Sequence, residues 1–560
     1  MPAEPDATET RPLPGLGIFA LREMRTSRRK NRLLEMEWFD ALYRVYLAAF
    51  VGGGSVLFIS GFVKDTKLDA SGVTEFAARA PQILGVVVTL ALFLGLRAGA
   101  NGGPIAVEEA DVRHVLLAPI PRKTALMHPV IQKLRTITFT GVLAGAAAGQ
   151  LAARRLPGIP VHWVFYGAVF GALVGALFVA SALIAHGLGF PHWATTMFGG
   201  GLLAWQTWAA AGQEVRHGPA NSIGRIAVWA VGAHGTDVIG AAAVLMLVLV
   251  SLVMAGRLTI EALARRSNLV AQLKFAVTLQ DIRTVVLLRR QLGQESMRSS
   301  PWWKVARSGK LGPVPRRGLH SYTRFPLRRI IRMVMLTAGA SAGLVYAYRG
   351  TAPAIVVSGL MLFVLGLEIV EPMSQEVDQP ERNESFPVPR GHIMRLHLIM
   401  PALMLIPFAV IGALVAGVMQ RDTSGAPAAI AILAIPVTFG GACGAVINTV
   451  KGMPDPLGQS AERLYMPPEV SGMTTMIRSV WPPVVSILAC VPVLLVRNAE
   501  ETGFNPIGAA VRGAVGCTLL IILVVGWVHQ RDVIHKWWND VLEGGRAAQA
   551  DRSRSEGGLL

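Results

Sequence analysis

The sequence predicts an all-α fold, a polytopic membrane helical bundle of about twelve transmembrane helices in two six-helix halves. Three observations predict it. Of 560 residues, 52% are hydrophobic and 16% charged, and mean hydropathy is +0.47. The apolar residues gather in runs of about 20, the length at which a helix crosses the hydrocarbon core and satisfies its own backbone there. The 53 Lys and Arg, against 35 acids, fall between and beside these runs. That is the pattern of cytoplasmic loops and not of a nucleic-acid-binding face.

Windows of that length place spans near 41–63, 81–100, 134–152, 164–186, 193–212, 236–255, 333–349, 352–371, 396–419, 427–449, 480–497 and 506–528. No signal peptide opens the chain: residues 1–15 are polar and Pro-rich, and LREMRTSRRKNR follows. A cytoplasmic N-terminus then threads 101–133, 256–332, 451–479 and 529–560 inside and 64–80 and 498–505 outside. The expected parts are a cytoplasmic N-terminus with an amphipathic helix (1–40), a first transmembrane half (41–255), a basic linker (256–332), a second half (333–528) and a cytoplasmic tail (529–560). The tail after Trp538 is polar and is expected to be disordered.

The linker carries 17 Lys and Arg against Glu261, Asp281 and Glu295. Residues 257–298 read as a long amphipathic helix, with Leu263, Val270, Phe275, Val277, Val285 and Leu288 among Arg265, Arg266, Lys274, Arg283, Arg289 and Arg290. Such a helix lies along the inner leaflet with its cations on anionic head groups, or docks a cytoplasmic partner.

A related loop follows the second span of each half: IAVEEADVRHVLLAPIPRKTALMHP around 105–129 and MSQEVDQPERNESFPVPRGHIMRLH at 373–397. A shift of 268 places Glu108 on Glu376, Pro119 on Pro387, Pro121 on Pro389 and Arg122 on Arg390, which points to an internal duplication. Asp111 and Asp378 extend the acidic stretches. The prolines stiffen the turn and break helix continuity. Each loop either passes motion from a soluble partner into the helices or simply returns the chain to the membrane with its charges solvated.

Two glycine ladders, Gly141, Gly145, Gly149 and Gly167, Gly171, Gly175, put small residues on one face of the third and fourth spans. Ordinary close packing is one reading and a sliding face the other. No span has a Lys, Arg, Asp or Glu near its centre; Arg97, Glu214, Asp237, Arg349 and Glu368 sit near span ends, where they can snorkel. That disfavours an ion-coupled carrier, which needs a site at midplane depth, although Gln206 keeps the option open. GxxxxGK[ST], HExxH and GxSxG are missing and no paired carboxylates are read as flanking a span, so neither intrinsic catalysis nor a cofactor is expected. Cys443, Cys490 and Cys517 lie in apolar runs and read as packing residues. His186 and His192 bracket the turn HGLGFPH, where interfacial capping is preferred to metal binding.

At the paired loops the chain resembles the permease subunits of type-2 ABC exporters, particularly the large ABC-exporter membrane proteins of high-GC actinobacteria. ADVRHVLLAPIPR and EPMSQEVDQPERNESFPVPR carry the likeness most closely. The resemblance implies a basic amphipathic helix before each half, here 16–40 and 310–332. It implies a coupling helix between the second and third spans, here 108–130 and 371–395. It also implies a plasma-membrane permease without its own ATPase, served by two copies of a soluble one, with both termini cytoplasmic. Two departures stand out: this chain fuses two halves where many relatives encode one, and 451–479 is longer than its counterpart 186–192. The rival readings are a non-transporting scaffold or assembly partner of a membrane enzyme and, third, the ion-coupled carrier. A neighbouring reading frame with a Walker A motif would favour the exporter, and a neighbouring glycosyltransferase or polymerase the scaffold.

Overall fold

The computed structural model describes residues 16–34, 53–54, 56–58, 60–63, 67–103, 105, 107, 109–211, 217–278, 298–303, 312–377, 387–420, 427–451 and 480–557. Regular structure among them is helical. Nine of these helices are long and apolar enough to cross a membrane, or ten if one bent pair counts as a span. The chain is therefore a polytopic helical bundle, and nine or, with the bent pair, ten of the twelve expected spans are long and apolar enough among the described residues. Helix 192–211 has the length, but its Thr195, Thr196, Gln206 and three Trp leave it outside the apolar set. The expected span at 41–63 and the segment 451–479 lie largely outside the described residues.

The chain divides into two compact units, 1–279 with 284–294, and 280–283 with 295–560. The first holds α1 (Leu16–Leu34), α2 (Ala70–Ala100), α3 (Glu109–His114), α4 (Arg122–Arg155), α5 (Pro160–Gly187), α6 (His192–Ala211), α7 (Asn221–Ile226), α8 (Asp237–Met254) and α9 (Ile260–Thr278). Asp69 starts α2 by accepting from the Ser71 hydroxyl at 2.6 Å and the Gly72 amide at 3.1 Å. Those bonds hold its carboxyl below the usual carboxylate range. Helix α5 is the buried centre, with Leu177, Val179, Ala180 and Leu183 in the core.

The two glycine ladders form the seam between α4 and α5. A Cβ on Gly141 would overlap the Gly171 carbonyl, one on Gly145 the Gly167 carbonyl, and one on Gly149 the Trp163 carbonyl. The converse holds for Gly167 against Gly145, Gly171 against Gly141 and Gly175 against Ile137. Backbones this close exchange dispersion contact along the whole seam, which is how helices adhere without a hydrophobic drive between them. The other face of α4 exposes Ile131, Phe139 and Leu143, as a lipid-facing surface would.

Three polar side chains inside this unit, Gln206, Asp237 and His186, find partners on neighbouring elements. Gln206 Nε2 donates to the Gln82 carbonyl at 2.8 Å and to Asn221 Oδ1 at 2.7 Å, and its Oε1 accepts from the Ala220 amide at 3.0 Å. The glutamine thus anchors the irregular segment around α7, where backbone away from water must find internal partners. Asp237, 1% exposed, pairs with Arg225 at 3.4 Å and accepts from Trp229 Nε1 at 2.9 Å. His186 accepts from the Thr259 amide through Nε2 at 3.2 Å, which leaves Nδ1 to donate to the Gly99 carbonyl at 3.2 Å. It caps two chain ends, as expected. Helix α9 does not lie free: Leu263 and Ser267 are buried, and Ser267 Oγ donates to the Val107 carbonyl. Residues 279–297 of the expected amphipathic helix are outside the described residues.

The second unit holds α10 (Pro313–Tyr322), α11 (Leu327–Tyr348), α12 (Ala354–Ile369), α13 (Glu371–Val377), α14 (Arg390–Met419), α15 (Pro427–Lys451), α16 (Val480–Glu501) and α17 (Pro506–Gly557). Helix α15 is its centre, with Ile430, Leu433 and Val437 buried. Helix α16 is interrupted by a turn at 489–491 and resumes with Pro492 at a first-turn position. The expectation of a disordered tail is corrected, because α17 continues unbroken to Gly557. Its polar end contains Ala, Arg and Glu, all good helix formers, and no proline.

The units begin matching helices at matching intervals. Arg122 and Arg390 differ by 268, Pro160 and Pro427 by 267, and Asp237 and Pro506 by 269.

Candidate functional site

In the second unit, charged side chains gather where α11 begins and α12 ends. Pro326 precedes α11 in extended conformation, φ −67° and ψ 146°, so the helix starts at Leu327. Arg329 and Arg332, three residues apart, then share its first-turn face. On the neighbouring strand of chain, α12 and α13 meet at a 62° bend, which sets Glu368 and Glu371 on either side of Val370.

The four groups close on one another. Arg329 Nε lies 3.0 Å from Glu368 Oε2, Arg332 Nη2 donates to Glu368 Oε1 at 2.8 Å, and Arg329 Nη1 pairs with Glu371. Arg329 Nη2 also donates to the Glu368 carbonyl at 2.6 Å, and its guanidinium lies 3.7 Å above the Phe325 ring. Arg329 is 2% exposed and Glu368 4%. Two cations against two anions leave no net charge, and that balance lets ionised groups stay out of water. The Tyr322 hydroxyl seals the base by donating to the Ile369 carbonyl at 2.5 Å. Burial pushes its phenol well above the ordinary value, with Arg329 opposing and Glu371 reinforcing, so it remains a donor. One turn further on, Glu376, 3% exposed, pairs with Arg317 of α10. Helix α13 is thus tied by charge to both α10 and α11.

Among the described residues, the first unit has no such bracket. At the shift of 268, Ala100 and Gly103 stand where Glu368 and Glu371 do. Helix α3 is held instead by an apolar cluster of Leu21, Val107, Val112, Leu116, Leu126 and Leu263. Arg25 Nη2 donates to the Ala125 carbonyl at 2.8 Å, tying α1 to the start of α4.

Of the ten loop residues singled out from the sequence, Glu108 and Asp378 lie outside the described residues. Asp111 is half-buried, and its carbonyl accepts the Val115 and Leu116 amides at 2.9 and 3.1 Å. Pro119, Pro121, Arg122, Pro387 and Pro389 are exposed and Arg390 is partly buried. Pro121 (φ −56°, ψ 122°) and Pro389 (φ −53°, ψ 134°) occupy the same position, immediately before a long helix that opens on arginine. Glu376 is not a displayed charge but half of a buried pair.

Reading the sequence for snorkelling ends is corrected at Glu368 and Asp237, which are enclosed by protein. Arg329 and Arg332 fall just before the expected span at 333, and Glu371 and Tyr322 carry no local signal of their pairing with them. Two arginines at helical spacing just before an apolar run, with two acids flanking the end of the next, were the available signal. Elsewhere, a cavity of about 570 Å³ beside the glycine seam is lined by Phe76, Leu84, Ile137 and Phe170. It lacks the convergent polar groups that would give it chemistry.

No protein-family model, curated protein or solved structure matches the chain.

Proposed function

We propose that the chain is the permease of an ATP-driven, ABC-type exporter in a bacterial plasma membrane, energised by two copies of a soluble ATPase docking at the Pro-x-Pro-Arg loops. The observation that carries this reading is the matched geometry of those loops. Each presents exposed prolines and then enters a long apolar helix through an arginine. A partner pressing on such a stiff turn would act directly on α4 or α14. In the second unit the bracket around α13 would carry the same push into α11 and α12. The pairing of Glu368 and Glu371 with Arg329 and Arg332 leaves neither carboxylate as a vacant ion site, which weighs against the ion-coupled carrier.

Docking is best tested at exposed residues, since reversing Glu376 would also break a buried pair. Leu117, 70% exposed, is an apolar tip beside Pro119. Leu117→Asp with Arg122→Glu is expected to lower recovery of the ATPase in pull-downs at least about tenfold, with membrane levels unchanged. Adding Val388→Asp in the second loop should abolish it. Full recovery by the triple variant at equal permease levels would remove the docking role and favour the scaffold.

Orientation can be read by thiol labelling, because Cys443, Cys490 and Cys517 are all buried. The charge threading expects Lys67→Cys and Glu501→Cys to react with an impermeant maleimide from outside intact cells, and His320→Cys only after lysis. Labelling of His320→Cys from outside would reverse the topology.

A further inference from the structure

A groove runs beside the glycine seam of the first unit. Helices α2 and α4 both pack along α5 but scarcely against each other, and a space of about 570 Å³ is left between them. Its floor is the face of α5 that carries Gly167 and Gly171, and its walls are Leu84 and Val87 of α2 and Ala144 and Ala148 of α4. The groove opens sideways. Val87 is 44% exposed, and Ala144 and Ala148 are exposed on the opposite wall. The polar atoms of its lining are turned to the chain itself: Thr140 Oγ1 donates to the Thr136 carbonyl at 2.9 Å, and Trp163 Nε1 to the Pro157 carbonyl at 3.0 Å.

Protein interiors hold few voids larger than a water molecule, and an apolar cavity stays dry instead of filling with water. A space of this size therefore takes an apolar occupant. Helices α2, α4 and α5 are all candidate membrane spans, so the side opening faces hydrocarbon. On α4 the lining runs from Ile137 to Ala152, a length of about 22 Å at the helical rise. One leaflet contributes about 15 Å of hydrocarbon, half of the core. A whole lipid chain therefore fits lengthwise.

The end beyond Ala152 is positive. Helix α4 closes there on Arg154 and Arg155, and the Leu68 amide donates to the Arg155 carbonyl at 2.9 Å, which brings Lys67 and Asp69 to the same end. Arg79 follows the lining residue Phe76 by three positions and pairs with Glu75 at 3.4 Å. Among the described residues these four cations outnumber the two acids, a balance that favours an anionic head group.

We propose that the groove between α2 and α4 seats one acyl chain of an anionic phospholipid from the leaflet at the Arg154 end, with its head group beside Arg154 and Arg155. The proposal stands independently of the exporter reading, as it requires no ATPase.

The test uses the full chain in phosphatidylcholine nanodiscs that hold a fixed small fraction of phosphatidylglycerol carrying a diazirine in its acyl chain, with crosslinked peptides identified by mass spectrometry. Labelling of the α2, α4 and α5 peptides that line the groove is expected to saturate. It should fall when unlabelled phosphatidylglycerol replaces part of the phosphatidylcholine, while labelling of α8, whose Leu245 and Leu249 are exposed, stays unchanged. Ala148→Phe fills the groove from a position off the glycine seam and should remove the saturable labelling at an unchanged melting temperature. Val87→Trp fills it from the other wall and serves if Ala148→Phe does not fold. Arg154→Gln with Arg155→Gln should abolish the competition by phosphatidylglycerol. Groove peptides that stay unlabelled, the result if residues 41–63 of the chain lay there instead, would overturn the proposal. So would labelling that both groove-filling variants leave intact, or a wild type in which unlabelled phosphatidylglycerol does not compete.

Discussion

Arg329→Met is expected to destabilise the chain by about 3–5 kcal/mol, the range for breaking a buried ion pair from one side. The side chain is replaced by one of similar length, so little volume is lost. What remains is Glu368 and Glu371 facing Arg332 alone, two buried carboxylates against one guanidinium. The same argument predicts the sign of the rescue. Arg329→Met with Glu371→Gln restores one cation to one anion and should recover about half of the loss, and removing all four charges should be close to neutral. Denaturant unfolding of the detergent-solubilised chain, followed by tryptophan fluorescence, measures all of these. A wild-type midpoint in Arg329→Met would mean that the bracket is not held by charge.

Gly145→Leu should produce the second large effect, a loss of about 1–3 kcal/mol or more from forced separation of packed backbones. Its Cβ would meet the carbonyl of Gly167, which belongs to the helix itself and cannot rotate aside. Gly171→Leu meets the Gly141 carbonyl and should match it. The two substitutions together should cost less than their sum, since one displacement of α4 from α5 relieves both. Gly200→Leu on α6 is the control, because an added Cβ there meets nothing. Thermal melting that ranks Gly200→Leu with wild type and the seam variants well below it would establish the seam as a fixed contact. Equal melting of Gly145→Leu and wild type would show instead that α4 can stand off α5.

The sequence by itself determined that the chain is a helical membrane bundle, since apolar length and period are local properties and lipid permits few backbone solutions. It also determined the glycine seam, because four-residue spacing places each ladder on one face whatever surrounds the helix. The shared Pro-x-Pro-Arg turns were legible for the same reason: proline acts on its own residue and its predecessor. Pairing was not legible. Glu368 and Glu371 lie some 40 residues from Arg329 and Arg332, and charges near an apolar run read alike whether they meet solvent or one another. Only the 62° bend between α12 and α13 and the early start of α11 brought them together. The close approach of Gly391 on α14 to the His529 carbonyl on α17 spans more than 130 residues and likewise has no local signature. Tertiary structure decided which charges are buried, because burial is set by the element packed alongside and not by the residues on either side in the chain.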